Sequence, residues 1–289
     1  VNPNDWQAKG NFFKFKKHQV FYIFEAAQKK PVLLLIHGFP TSSWDWQFIW
    51  DELSEHFSLL CLDLMGFGFS DKPIDYDYSL MQQADLCEAL MKQLKIKRYH
   101  ILAHDYGDTV AQELLARYYD SEIDLLSCCL LNGGLFPGSY RPRFIQKLLL
   151  NGKVGPFVSK FVTKRSLKKT FKRIFGPVTP PSEELVDGWW ELFKYNSGRS
   201  VLHQVIQYMK ERTTHQERWT KALTHCVIPL RLIDGTQDPI SGKHMAEKFK
   251  ELVPRADVAL IQNIGHYPQV ESPDQVLLFF LAFHESGLS

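Results

Sequence analysis

The sequence is poor in the features that would mark a secreted scaffold, a metal protein or a membrane span. Cysteine is scarce: Cys61, Cys87, Cys128, Cys129 and Cys226 make an odd number without metal-ligand spacing, mostly within apolar stretches, so reduced core residues are expected rather than a disulfide framework. Long apolar runs are missing too. The longest, Val276 to Phe283, falls far short of the roughly 20 residues a membrane span needs. No glycine loop ends in the lysine of a phosphate cradle, and Gly66 and Gly68 lack the third glycine and the following helix of a dinucleotide fingerprint. With no His, Cys or carboxylate cluster at ligand spacing, neither a metal nor a cofactor is expected. There is no internal repeat or low-complexity tract. The chain opens on Val1 rather than methionine, so nothing about a leader or an anchor rests on its start; a cytoplasmic location is the expectation.

A strong overall charge is also absent, but the balance conceals a division. The net charge is +2, yet residues 134–222 carry 17 Lys and Arg against 6 Asp and Glu, a balance of +11, while the remainder carries 17 against 26, a balance of −9. The basic residues are densest from Lys160 to Arg173, where they alternate with Phe161, Leu167, Phe171 and Ile174. Such a stretch can lie on an anionic membrane surface; alternatively it is a solvated helix face whose apolar side covers a site. It matches no recognised nucleic-acid module, and the acidic body would repel a phosphate backbone, so no nucleic-acid partner is expected.

What is present is an alternation of strand and helix. A hairpin is predicted from Asn11–Lys16 and Gln19–Phe24, and further strands at 31–36, 57–62, 98–103, 125–131, 229–233 and 257–261, with helices at 44–56, 79–94, 109–119 and 274–284. Strands that read as continuous apolar runs separated by helices belong to a mostly parallel sheet covered on both faces. The eight strands therefore predict an α/β fold. From Gly134 to about Ala222 the strand rhythm stops and the pattern becomes helical, which predicts a core of residues 1–133 and 223–289 with an inserted helical cap at 134–222.

Chemistry in such a sheet gathers at the carboxyl ends of the strands. The segment Ala103-His104-Asp105-Tyr106-Gly107 joins a strand to a helix with small residues at 103 and 107, the pattern of a sharp elbow that presents its central side chain. Asp105 also reads as a helix N-cap, a position aspartate favours. Asp238 follows the strand ending at Ile233-Asp234-Gly235, His266 follows the last strand within Gly265-His266-Tyr267, and His37-Gly38-Phe39-Pro40 follows the first long apolar run. Asp238 before Pro239 also suits a surface turn, and His266 is one of eleven histidines. Asp234 and Asn132 are rivals for the acid; Asp234 lies close enough to the strand end to cap the turn, and an amide at 132 stabilises imidazolium less well. The order nucleophile, acid, histidine is that of a hydrolase of this architecture.

With these motifs in view the chain resembles the α/β-hydrolase family over nearly its whole length. Within it, the His37-Gly38-Phe39-Pro40 turn, the Asp63, Gly66, Gly68, Ser70 loop and the elbow resemble the subgroup with an aspartate nucleophile, the epoxide hydrolases and haloalkane dehalogenases. The resemblance implies the α/β-hydrolase fold and a small apolar organic substrate.

The residue types support that chemistry independently. A carboxylate attacking an acyl carbon would give an anhydride, whereas attack on saturated carbon gives an ordinary ester that water can hydrolyse. Asp105 would be the nucleophile, His266 the base for water, and Asp238 the group that holds the imidazole in its tautomer. The backbone N–H groups of Phe39 and Tyr106 would form the oxyanion hole. The leaving group separates the two relatives. Dehalogenases carry Trp after the nucleophile and often Asn after the His-Gly pair; here Tyr106 and Phe39 stand there, and the arginine that follows the nucleophile in fluoroacetate-type relatives is missing. Epoxide hydrolases use cap tyrosines as acids, for which Tyr208 is the leading candidate, with Tyr140 and Tyr195 behind it; each can also be a packed ring with its hydroxyl at the surface. Three expectations follow: an epoxide-opening hydrolase, a haloalkane dehalogenase with unfamiliar halide donors, and a lipid-surface protein of the same fold that binds or transfers acyl chains and docks through its basic cap.

Overall fold

The computed structural model describes residues 1–139 and 144–286. Eight strands, β1 (Asn11–Phe15), β2 (His18–Glu25), β3 (Val32–Ile36), β4 (Ser58–Leu62), β5 (Arg98–His104), β6 (Asp124–Leu131), β7 (Leu230–Gly235) and β8 (Asp257–Ile261), form one sheet. Their order is β1-β2-β4-β3-β5-β6-β7-β8, antiparallel at β1/β2 and β2/β4 and parallel elsewhere.

The continuous apolar runs arise because alternate residues enter two separate cores. Leu34, Ile36, Leu60, Leu62, Ile101 and Ala103 face the helices Leu80–Gln93, Tyr106–Ala116 and Lys243–Leu252. Their neighbours Leu33, Leu35, Leu59, Cys61 and Leu102 face Trp50–His56 and Pro273–Ser286. Each fully buried leucine contributes about 1.5–3 kcal/mol relative to exposure. All five cysteines are free, and four are buried in these layers.

One predicted element differs. Residues 44–56 are not a single helix but a 3-10 turn, Ser43–Phe48, followed by an α-helix from Trp50. The tighter turn allows Trp44, Asp45 and Trp46 all to be buried, and Asp63 Oδ1 accepts the Ser43 N–H at 2.8 Å.

Between β6 and β7 the described residues contain helices only: Phe144–Leu150, Gly155–Lys160, Lys164–Phe171, Glu183–Lys194, Leu202–Val205, Tyr208–Thr214 and Gln216–Thr224, with a 3-10 segment at Tyr195–Ser200. The last of these is fastened to the core. Trp219 donates its indole N–H to Glu113 at 2.8 Å, and Arg218 pairs with the same carboxylate at 2.8 Å. Residue 222, where the sequence pattern changes, therefore lies inside a helix that packs on the core. No helix among the described residues is long and apolar enough to cross a membrane.

Candidate active site

β5 ends at His104, and the helix Tyr106–Ala116 begins two residues later. The turn is tight enough that a Cβ on Gly107 would stand 2.3 Å from the Ile36 carbonyl oxygen, which explains the glycine. Asp105, between them, has φ 48° and ψ −100°, a backbone conformation that costs a non-glycine residue about 1–3 kcal/mol. Its side chain makes no capping hydrogen bond to the helix. That separates it from an ordinary N-cap, whose carboxylate would fold back onto the first turn.

The carboxylate turns instead toward three partners. Phe39 N–H donates to Asp105 Oδ2 at 3.1 Å, His266 Nε2 stands 3.9 Å from the same oxygen, and Arg212 Nη2 lies 3.8 Å from Oδ1. The Tyr106 amide opens the helix, where no intrahelical acceptor exists for it. Burial opposes ionisation of Asp105, but His266 and Arg212 hold its carboxyl well below the usual carboxylate range.

His266 Nδ1 lies 2.7 Å from Asp238 Oδ2. Asp238 is fixed in turn by the Ile240 N–H at 2.7 Å and the Asn132 amide at 3.1 Å. Asp234 is not the histidine's partner: its Oδ1 accepts from Asn132 at 2.6 Å, and burial pushes its pKa well above the usual value. Asn132 thus sits at the strand end in the left-handed region, φ 46°, as a clamp between two carboxyl groups. Burial favours neutral His266, yet the Asp238 charge, the hydrogen bond to it and the nearby Asp105 carboxylate outweigh burial and raise the pKa well above 6.5. His104, beneath, reaches the His266 backbone carbonyl through Nε2 at 2.7 Å. Burial and the neighbouring His266 drive its pKa down to about 3, so it is neutral with the proton on Nε2.

Asp105 and His266 open onto a cavity of about 370 Å³ whose walls are mostly apolar, among them Leu149, Phe161 and Ile240. Tyr208 lines it, with its ring 4.8 Å from Tyr106, 5.7 Å from Phe39 and 4.7 Å below the Arg212 guanidinium. Tyr195 does not line the cavity; its ring packs 5.2 Å from Phe69 with Lys72 Nζ 5.2 Å above it, so it is not carried forward as a proton donor. Tyr140 lies outside the described residues.

Arg212 is the residue that the sequence pattern did not single out. It is 3% exposed and holds the elbow from the helix Tyr208–Thr214, donating to the Asp105 carbonyl at 2.9 Å and to the Thr109 hydroxyl at 2.7 Å. Its one legible signal is a position four residues after Tyr208, which places both on one helix face. Among the described residues no group of His, Cys, Asp and Glu could hold a metal.

The chain is similar to known proteins of one fold. The alpha/beta hydrolase fold profile matches residues 31–273. The chain is 37% identical to the Homo sapiens mesoderm-specific transcript homolog protein, over 98% of this chain and 88% of that protein. It is 35% identical to a putative hydrolase, LipZ, of Mycobacterium tuberculosis, over 99% and 96%, and 30% identical to epoxide hydrolase 1 of Caenorhabditis elegans, over 94% and 68%. Solved structures with the same fold include haloalkane dehalogenase DbeA from Bradyrhizobium elkani, 19% identical with a TM-score of 0.79 over 96% of this chain and 99% of that one. Another is epoxide hydrolase CorEH, 20% identical with a TM-score of 0.75 over 96% and 98%. From its sheet, its profile and its relatives, the chain belongs to the alpha/beta hydrolase fold family.

Proposed function

We propose that the protein opens an epoxide carried on an apolar molecule, through an alkyl ester on Asp105. The observation that carries this reading is the Asp105 carboxylate itself. It is buried, ionised and free of the helix cap, with one oxygen on a backbone N–H, and it faces an apolar cavity beside a histidine already paired to a second aspartate.

In the first step Asp105 Oδ1 attacks a saturated carbon of the ring. The C–O bond breaks, its electron pair goes to the epoxide oxygen, and the Tyr208 phenol supplies the proton. Oδ2 stays on the Phe39 N–H and becomes the carbonyl oxygen of the ester. In the second step water attacks the Asp105 Cγ and yields its proton to His266 Nε2. The charge that gathers on Oδ2 is received by the Phe39 and Tyr106 N–H groups, each worth roughly 3–4 kcal/mol in comparable holes. Collapse breaks the bond from Cγ to the alkyl oxygen, which takes the proton of the newly added hydroxyl and leaves as the diol, so that the Asp105 carboxylate is regenerated beside a protonated His266 as at the start.

The electrostatics fit this order. While Asp105 is an anion its field helps to keep His266 protonated, a form that cannot act as a base. Alkylation removes that charge, so the imidazole pKa falls, the proton it releases restores the Tyr208 phenol, and His266 becomes a base only after the ester exists. The site thereby separates its two steps in time.

A halide leaving group is less well served, because no tryptophan lines the cavity among the described residues. The test is a panel of aliphatic and aromatic epoxides against the wild type and Asp105→Asn. Diol formation by the wild type that the asparagine variant lacks is expected; an asparagine variant that turns over at the wild-type rate overturns the reading.

A further inference from the structure

The mouth of the cavity has a surface that the chemistry at Asp105 does not explain. Val154, Phe157 and Phe161 are 41%, 66% and 79% exposed. They lie at i, i+3 and i+7 along the segment of the helix Gly155–Lys160, a spacing that aligns them on one side. Phe157 and Phe161 also line the cavity that reaches Asp105 and His266. Large apolar side chains at both solvent and pocket are unusual on a protein that meets only water.

The charges beside this stripe are sorted. On the helix Lys164–Phe171, Lys164 and Lys168 pair with Asp187 and Glu183 of the helix Glu183–Lys194. Arg165, Lys169 and Lys172, on a different stripe at i, i+4 and i+7, are exposed and have no carboxylate partner among the described residues. Ser166 and Thr170, each next in sequence to Arg165 and Lys169, line the cavity, so the exposed cations lie on the helix stripe beside the one that lines it. The exposed Lys153, in the turn before the preceding helix, and Lys160, at that helix's end, flank the phenylalanines. The rest of the molecule carries the compensating negative charge, −9 outside residues 134–222, so its field turns this face toward an anionic surface.

We infer that this face docks on an anionic lipid bilayer: Val154, Phe157 and Phe161 enter the headgroup boundary, the lysines and Arg165 meet the phosphates, and apolar substrate passes from the bilayer between the two phenylalanines to Asp105. An apolar stripe beside a basic flank is the architecture of an interfacial helix. A second protein would need matching pockets for both rings, whereas a bilayer needs none, and both rings line a cavity suited to a hydrocarbon chain. The inference stands apart from the leaving group proposed at Asp105, and vesicle binding is measured without turnover.

The experiment is co-sedimentation of the full chain with vesicles of phosphatidylcholine alone or mixed with phosphatidylglycerol, at low and high salt. The wild type is expected to bind the mixed vesicles and to leave the neutral ones largely free. Phe157→Ser with Phe161→Ser lowers partitioning at least about tenfold, since two rings no longer leave water. Lys160→Gln with Lys169→Gln lowers it about fivefold per charge at low salt, and less as salt screens the surface. These side chains are exposed, and circular dichroism verifies that each variant is folded. A wild type that ignores anionic vesicles at low salt overturns the inference. So do folded phenylalanine variants that bind as the wild type does, because pure electrostatic adsorption would not require the rings.

Discussion

Arg212, from the helical interval between β6 and β7, donates to the backbone carbonyl of Asp105 at 2.9 Å and stands 3.8 Å from its carboxylate. The segment that roofs the cavity thus also holds the elbow. Replacing Arg212 with Met leaves the Asp105 carbonyl and the Thr109 hydroxyl without this donor and the buried carboxylate without its cation, at a cost of about 3–5 kcal/mol. The folded fraction is expected to form the ester more slowly. Because Arg212 helps to depress the Asp105 pKa, the acidic limb of the pre-steady-state rate moves to higher pH. A melting curve and a pH series of single-turnover rates check both effects.

Tyr208→Phe keeps the ring against Phe39, Tyr106 and Arg212 and removes only the hydroxyl. Epoxide opening is expected to fall by roughly 10²–10⁴-fold, the range for loss of a positioned acid. Alkylation by a substrate whose leaving group needs no proton, such as an alkyl sulfonate, is expected to hold near the wild-type rate. Equal losses on both substrates would place Tyr208 in packing rather than in proton donation.

Asp238→Asn and Asp234→Asn distinguish the two carboxyl groups that Asn132 joins. Asp238 bonds to His266 at 2.7 Å, so its amide variant is expected to slow ester hydrolysis roughly 10⁴-fold while alkylation changes far less. Burial pushes the Asp234 pKa well above its usual value, and an amide at 234 can still accept from Asn132. Its variant is expected to hydrolyse the ester at nearly the wild-type rate, which rapid-quench measurements of the two steps can establish.

Stability carries a separate pH signature at Asp45. Burial raises its pKa from 3.8 to about 7, against the opposing bonds from Thr41 and Trp189. The folded state therefore binds this proton more tightly than the unfolded state. The associated stability is fully present below pH 3.8 and declines as pH rises through about 7. Asp45→Asn retains an acceptor for the Trp189 indole and has no proton to lose. Urea melts are expected to show the variant gaining on the wild type by about 2–4 kcal/mol between acid and neutral pH; a constant difference would contradict the assignment.

The strands were legible because both faces of the sheet are covered, so residues such as Leu33, Leu34, Leu35 and Ile36 are all fully buried and the apolar runs have no gaps. Asp105, Asp238 and His266 were legible for a related reason: each follows a strand whose carboxyl end the apolar run locates. The 3-10 turn at Ser43–Phe48 was not, because it is set by Asp63, a residue from the end of another strand that takes the Ser43 amide. Nor was Arg212, whose contact with Asp105 crosses 107 residues of chain and leaves no periodic trace. Tyr195 shows a similar limit. Residue type and cap location made it a candidate, but the positive-φ turn at Asn196 and Ser197 follows it, and its ring lies against Phe69 instead of the cavity.

The central claim is the covalent ester, and its most direct measurement is the mass of the intact protein and of the peptide bearing Asp105 after mixing His266→Gln with an epoxide that the wild type hydrolyses. With His266 unable to take the proton from water, the protein is expected to gain the mass of one substrate molecule, located on Asp105, and to release no diol. A His266→Gln protein that stays at its unmodified mass, or that carries the adduct on another residue, would contradict the account.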